Sequence, residues 1–510
     1  MAEHESRRLN ESPFGSGRDR KGRMRGTKVS PNGGYSTVVE TRALTATGCG
    51  AESEPRTPAS KGAEGSGVSG SSRIYSVTRG HLVDIRDITV GEIVQGAGPD
   101  LRPVAGRVTS VEPAGTRSTY ATRLSNGSIL TCAPGHQFMT PVGWHETGDI
   151  RPGDVMAAPW VYIPPAGVSG RPRASVAQGR ILGLLLGDGY LGQAADIDFV
   201  GASPELHISF SQSVLSAFPE STFRSIVRER GVVTTMVSGG TVRGGVGGTP
   251  AGGLLTWLRE LELKTPRGEK SAGGSLSDTK FVPKSFLEAS LPVIQELVGA
   301  LWDTDGCIFR FTKSPEGRGA TYKTISIQLA EDVRFLLLRL GVPTSISQLP
   351  YEARKGSRLA YQISVTDTVR FAEMLNGHLH HGGKAAEVAL MAGLGKDMHS
   401  RARRLGSHLP VGIIQDLVRE SGVSVRPVFE AAGLPRAMMS RAGMNHVGYG
   451  NQVRLALALD SPKLHRLTAV QWVKVVSQEA AAADELVFEI AVDGVHSIIV
   501  NGVAVRTLER

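Results

Sequence analysis

Cysteine is scarce: the 510 residues hold only Cys49, Cys132 and Cys307, widely spaced and odd in number. That pattern excludes a disulfide framework and a zinc site built on thiolates. Long apolar runs are missing too. No stretch approaches the roughly 20 apolar residues that a membrane span needs. The opening Met1–Phe14 segment mixes both charge signs without an apolar centre, unlike a secretory signal. A soluble, cytoplasmic chain with no membrane partner is expected. What is present suits several cores, with 40% hydrophobic and 21% charged residues, and the length implies about two to four domains at roughly 100–200 residues each. A formal charge of +9 fits a polyanionic partner, because basic side chains release counterions when they meet phosphates. The same excess also suits an uninformative basic surface.

Residues 1–66 are dominated by Gly, Ser, Arg, Glu and Pro. Such a segment cannot offset its chain entropy by burial; a disordered stretch, or one created by a start codon placed too far upstream, is expected. From Arg73 the texture turns to short β-rich runs, IYSV, HLVDI, GRVTSVEP, STYATRLSNGSIL and HQFMT. Asn126-Gly127 between alternating runs signals a hairpin. A small all-β domain over residues 67–165 follows, closed by the proline-rich DIRPGDVMAAPWVYIPP.

Within 166–395, two apolar helices, AQGRILGLLLGDGYLG and SFLEASLPVIQELVGALWDTDGCIF, both end in Asp-Gly. Each leads into strand-like sequence and an amphipathic helix, HISFSQSVLSAF or TISIQLAEDVRFLLLRLGV. Asp188 and Asp305 lie 305 − 188 = 117 positions apart, so the spacing predicts a duplicated αββα unit. Residues 401–474 read as helical, and the stretch 411–441 fits either a helix-turn-helix that binds DNA or a plain helical spacer. LVFEIAVDGVHSIIVNGVAVRT, within 475–507, returns to β texture. Two β-rich ends therefore enclose an α/β insertion.

Small residues at Gly183 and Ala300 would let the two apolar helices approach closely, which sets Asp188 and Asp305 side by side at their C-terminal ends. The glycine after each acid would turn the chain through a positive φ. Two adjacent carboxylates repel, and a hard divalent cation such as Mg²⁺ removes that repulsion. One carboxylate from each half, with phosphate oxygens and water, could then support phosphodiester hydrolysis. Taken singly, Gly-Asp-Gly and Thr-Asp-Gly are also ordinary helix-ending turns; their repetition in register is what favours a metal site.

These motifs, across roughly residues 73–507, resemble the LAGLIDADG homing endonucleases, in the subgroup embedded in inteins. The resemblance implies that Asp188 and Asp305 bind the catalytic metal, and that Asp303 plays a structural part where the first copy has Leu186. The element DTKFVPKSF resembles the family's Lys-x-x-Pro, which implies Lys280 as the basic residue near the scissile phosphate. Gln212 and Gln328 sit at similar places in the two repeats and are candidate DNA contacts or exposed strand residues. Double-stranded DNA as partner, Mg²⁺ as cofactor and a monomer with internal pseudo-two-fold symmetry follow from the same resemblance.

The β-rich ends resemble the Hint domain of inteins in bacterial replicative helicases, on HLVDIRDI, NGSILTCAPGHQFMTPVGW and VFEIAVDGVHSIIVNGVAV. The fold class implied is multidomain: an all-β Hint-like domain split by an α+β LAGLIDADG endonuclease and a small helical region. His136 occupies the histidine of the family's Thr-x-x-His element, with Ala133 in place of the threonine, and His496 keeps an upstream position. The first-residue nucleophile aligns with Gly67, and the terminal asparagine with Thr507. Neither can serve, since splicing needs a thiol or hydroxyl to attack the preceding carbonyl, and threonine cannot cyclise to a succinimide. A splicing-inactive, free-standing relic that keeps its nuclease is expected, ahead of a DNA-binding protein without cleavage and of an intein that still processes itself.

Overall fold

A computed structural model describes residues 65–166, 174–191, 197–228, 231–239, 253–264, 277–311, 314–353, 356–393, 407–435 and 446–508. The chain divides into two units, Met1–Lys61 and Gly62–Arg510. The first, with Cys49, lies outside the described residues, all of which belong to the second; of the segment 1–66 expected to be disordered, residues 1–64 lie outside them.

The two β-rich ends interleave in one fourteen-stranded sheet. Val68–Ser69 pairs with both Ile129–Cys132 and Glu485–Val492, and Arg73–Ser76 pairs with Ser497–Val500. The long strand Pro103–Arg117 runs beside Glu485–Val492. Alternation drives this. In Pro103–Arg117 the buried positions Gly106, Val108 and Ser110 alternate with exposed ones, as a half-buried strand requires. The expected Asn126-Gly127 hairpin is present: Gly127 takes φ +86°, and Tyr120–Leu124 pairs back on Ile129–Cys132. A core of its own lies beneath these strands, with Ile74, Val94, Leu130, Phe138 and Val500 fully buried. The closing part of this frame begins at Val470 rather than at residue 475, because Val470–Ala480 pairs with Val155–Pro159, as in Pro159↔Val470. The insertion thus leaves and re-enters through neighbouring strands.

Inside the insertion, α1 (Val176–Asp188), α2 (Pro204–Ala217) and α3 (Gly253–Glu260) alternate with two β-hairpins. After the short α4 (Lys284–Leu287), the pattern recurs with α5 (Leu291–Asp303), α6 (Ile327–Arg339) and α7 (Thr368–Leu375), followed by α8 (Gly382–Gly393). Both halves build a four-stranded sheet with the same strand order, first–second–fourth–third along the chain. The expected αββα unit is present in each and is extended by a second hairpin and a third helix. A capping box at Ser175, with Gln178 answering, starts α1; Ser326 caps α6. Beyond α8, helices Val411–Glu420 and Val425–Ala431 are joined through Gly422 at φ +75°. The rest of the 411–441 stretch, 436–441, lies outside the described residues. No helix among the described residues is long and apolar enough to cross a membrane.

Candidate functional site

α1 and α5 pack along their length because α1 carries a stripe of glycines at every fourth residue. A β-carbon on Gly179 would meet the Val293 carbonyl at 2.7 Å, one on Gly183 the Leu297 carbonyl at 2.4 Å and the Ala300 Cβ at 2.6 Å, and one on Gly187 the Thr304 hydroxyl at 2.0 Å. Only glycine fits at such distances, and removing three β-carbons lets the two backbones nearly touch. Gly183 and Ala300 meet as the sequence implied; Gly179 and Gly187 complete the row.

The acids then fall together at one end of the pair. Asp188 is the last residue of α1, whereas Asp305 lies two positions beyond the end of α5. The expected positive φ after each acid is absent. Gly189 has φ −83°, and Gly306 is not among the left-handed glycines. Space is the reason instead: a β-carbon on Gly189 would sit 2.4 Å from the Leu185 carbonyl, and one on Gly306 2.5 Å from the Trp302 Cα.

Two lysines attend these helix ends. The Lys280 ammonium donates to the carbonyls of Leu186 (2.6 Å) and Gly187 (3.0 Å) at the foot of α1. The Lys384 ammonium donates to the carbonyls of Trp302, Asp303 and Thr304, each at 2.9 Å, at the foot of α5. Each cation therefore satisfies carbonyls that a helix end leaves open and sits at the negative pole of its dipole. Lys280 was legible from its Lys-x-x-Pro setting. Lys384 was not, since it follows Gly382-Gly383 without any such motif; only the duplication hinted that α5 would need a partner for Lys280.

The charges oppose one another. Burial, then the charge of Asp305, pushes the Asp188 carboxyl up to about 6, against the pull of Lys280 and Lys384. Burial also raises Asp305, which reaches solvent yet lies deep among protein atoms, and the same two lysines counteract it. Burial lowers both ammonium groups, with the acids holding their protons on. The Tyr322 phenol is raised well above its usual range by burial and by the charges of Asp305 and Asp188. Two buried oxygen donors whose ionisation burial and mutual charge oppose suit a hard divalent cation, which would remove that penalty. Asp188 and Asp305 fit that role, leaving further coordination positions to substrate and solvent.

Asp303 has a different task. It is 2% exposed, forms an ion pair with the buried Arg180 of α1 at 2.5 Å, and accepts hydrogen bonds from the backbone amides of His380 and His381. Arg180 also donates to the His378 carbonyl and to Ser209. The turn that carries Lys384 is thereby fixed to both central helices. Asp332 of α6 plays a similar part for the segment that carries Lys280: it accepts from the Val282 amide at 2.8 Å.

The remaining sequence-derived candidates are elsewhere. Gln212 lies on α2 and Gln328 on α6, so both are helical rather than strand residues. The Gln328 amide donates to Asp332 at 2.8 Å, in a cleft shared with Arg73 of the frame. Helical periodicity, not alternation, governs both sites, and neither glutamine has a hydrogen bond to the acid pair. In the frame, His136 is 5% exposed, its Nδ1 is 2.9 Å from the Ser66 hydroxyl, and burial drives its imidazole down to about 4. Ser66, His136 and Thr507 line one cavity of about 270 Å³. His496 is not brought there: its ring is exposed, and only its carbonyl reaches Thr507, from the Thr507 amide at 3.1 Å.

Residues 292–376 match the LAGLIDADG-like domain family. Over 407 residues the chain is 28% identical to the replicative DNA helicase DnaB of Rhodothermus marinus, covering 78% of this chain and 41% of that protein. It is 24% identical over 471 residues to RecA of Mycobacterium tuberculosis, covering 85% and 55%. The chain thus spans about half the length of the curated relatives it matches. Among solved structures, mesophilic variants of the homing endonuclease I-DmoI share 14% identity, with 39% of this chain and 94% of theirs covered and a TM-score of 0.26. The DnaB intein of Synechocystis sp. PCC 6803 shares 20% identity, with 19% and 70% covered and a TM-score of 0.18.

Proposed function

We propose that this chain, which carries a LAGLIDADG endonuclease domain within an intein-like β frame, is a site-specific double-strand DNA endonuclease. One observation carries the reading: two carboxylates, Asp188 and Asp305, and two lysines, Lys280 and Lys384, gather at the feet of the α1–α5 pair, one lysine on the end of each helix and each acid in the field of both. A duplicated site of this kind suits a duplex, whose two scissile phosphates are related by a local two-fold axis, and one chain supplies both halves as a monomer. Mg²⁺ held by Asp188 and Asp305 would lower the pKa of water and screen negative charge at the phosphate. The positive charges of the lysines, whose N–H groups are engaged by helix-end carbonyls, would act on a phosphate mainly through their field, lowering the cost of charge that develops on its oxygens. The two four-stranded sheets offer exposed Arg224, Arg228, Lys323 and Arg358 for phosphate contacts.

Cleavage of a plasmid library by the parent, Asp188→Asn and Asp305→Asn tests this. Linear product from the parent with Mg²⁺, and a loss of at least about 10²-fold in each variant, is expected; equal cutting by all three removes these acids from the mechanism.

The frame itself is read as inactive in splicing. Gly67 provides no nucleophile at the aligned first position, and Thr507, whose hydroxyl donates to the Val495 carbonyl at 3.0 Å, offers no route to a succinimide. The Ser66 hydroxyl beside His136 is the hydroxyl of this cavity that touches the buried imidazole. Mass spectrometry of freshly expressed protein decides the matter: the intact 54.1 kDa chain is expected, and an excised internal fragment with ligated ends overturns the reading.

A further inference from the structure

The outer face of the second nuclease sheet carries an aromatic pair that the core does not use. In the strand Gly306–Phe311, Ile308 pairs with Ala320 and both lie against the core, so the alternating residues Cys307 and Phe309 face the other way. Phe309 is 38% exposed and Phe311 42%, and their rings meet edge to face with centroids 5.4 Å apart. Phe309 is held by what lies opposite: its ring covers Gly319, where a β-carbon would come within 2.2 Å of Phe309 Cζ. A single exposed phenylalanine needs no explanation. Two in contact on the edge strand of a sheet are a liability for association, and shielding Gly319 accounts for one ring only.

The surroundings of the pair identify what would cover it. Cross-strand partners share a face. Beside the rings, Cys307 continues into Thr321 and Ser364, and the next row runs through Lys323, Gln362 and Ser347. These rows present hydroxyls, an amide and an ammonium, and neither holds a carboxylate. An apolar protein or lipid surface would strip such groups of water, whereas the major groove of a duplex offers them base edges and phosphates. The strand itself starts at the acid site. Asp305 immediately precedes Gly306, and Phe309 stands four residues beyond Asp305, about 13 Å away at roughly 3.3 Å per residue. That span equals about four base steps at roughly 3.4 Å each. The apolar group that a base pair shows in the major groove is the thymine 5-methyl.

We propose that Phe309 and Phe311 form a contact for thymine 5-methyl groups within about four base pairs of one scissile phosphate, so that the half-site under the second sheet is read in part through methyl groups. This rests on the endonuclease reading above and adds a chemical identity to part of its recognition site. The rings touch no reacting atom; they determine specificity. Their fixed placement, over Gly319 and edge to face, means that little side-chain freedom is lost when a methyl group seats against them.

The test uses the full chain, with Ca²⁺ in place of Mg²⁺, and duplexes selected by binding from a random library. The selected site is expected to hold at least one thymine whose replacement by uracil, which removes the 5-methyl group alone, weakens binding about fourfold, the worth of one buried CH₂ group. In Phe309→Ala and Phe311→Ala the thymine and uracil duplexes should bind alike. A ring that only covers Gly319 would lower both affinities together and leave their ratio unchanged. Uracil tolerated at every thymine by the parent overturns the proposal without any variant, as does a thymine preference that survives in both variants. A dimer in DNA-free solution that Phe311→Ala dissolves assigns the pair to a second copy of the chain and also overturns it. If a site is bound but no strand is cut with Mg²⁺, the nuclease reading fails and the uracil comparison still decides the role of the pair; if no sequence is selected, both fail.

Discussion

Asp188 carries an electrostatic cost that can be measured without any substrate. Its folded pKa, about 6, lies above the ordinary 3.8. At higher pH the carboxylate is ionised in both states, and the folded state bears the penalty of burial and of the neighbouring Asp305 charge. As pH falls from about 6 toward 3.8, the folded carboxyl takes its proton first and the penalty is relieved. Asp188→Asn should therefore unfold at a higher temperature than the parent near neutral pH without divalent ions. The gain is on the order of 1 kcal/mol, because a half-buried carboxylate keeps part of its hydration. The difference should shrink as pH is lowered through that window, and added Mg²⁺ should raise the midpoint of the parent alone. A variant no more stable than the parent at neutral pH contradicts this picture. His136 works in the opposite sense, losing stability as pH falls from 6.5 toward about 4, but equally in parent and variant. At this scale Asp188, Asp305 and Lys280 were legible, each standing in a local motif. Lys384 was not: its acceptors are backbone carbonyls, which leave no trace in side-chain spacing.

Between α1 and α5 the contact depends on what is missing from Gly183. A methyl group there would press on the Leu297 carbonyl and on Ala300 Cβ. Overpacking of this kind costs about 1–3 kcal/mol, against about 1 kcal/mol gained when alanine replaces glycine within a helix. Gly183→Ala should be destabilised overall and, because Asp188 lies little more than a turn further on, should lose cleavage of both strands by roughly 10²-fold. Gly412, with open space around its Cα in the helix Val411–Glu420, is the control: Gly412→Ala should gain stability, and an equal loss at both glycines would contradict the packing argument. Denaturant midpoints and strand-resolved cleavage measure the two effects. The stripe Gly179-Gly183-Gly187 was only partly legible, since a glycine every four residues reads equally as weak helix propensity until the facing helix is known. The turns after Asp188 and Asp305 depart from expectation for a related reason: the sequence shows that glycine is required, but not whether dihedral angle or space requires it.

Over the whole described unit, the alternating β runs and the duplicated helices conveyed the order of parts. The spatial interleaving of the two β-rich ends, several hundred residues apart, was conveyed only through a family resemblance, because strand pairing at long range leaves no periodicity of its own. The closing strand starts ahead of residue 475 for the same reason: Val470–Lys474 pairs with Val155–Pro159, far outside any local window. Nor did the sequence show how the frame holds the insertion. Arg73 of the frame forms an ion pair with Glu331 of α6, Arg334 donates to Ser128, and Tyr75 and Tyr162 pack on Phe335 with ring centroids 5.7 and 5.3 Å away.

The Asn126-Gly127 hairpin reaches furthest. The Ile346 amide donates to the Asn126 carbonyl at 3.0 Å, and Gly127 lies so close that a β-carbon would sit 2.3 Å from the Ile346 carbonyl. Ile346 belongs to Thr344–Ala353, an edge strand of the second nuclease sheet. An uncovered edge invites pairing with other chains, and at Ile346 a loop of the frame occupies that edge. Selection on the inserted domain would then act on the frame's shape as well, and mutations at this hairpin tip would be purged for the solubility of the domain they cover.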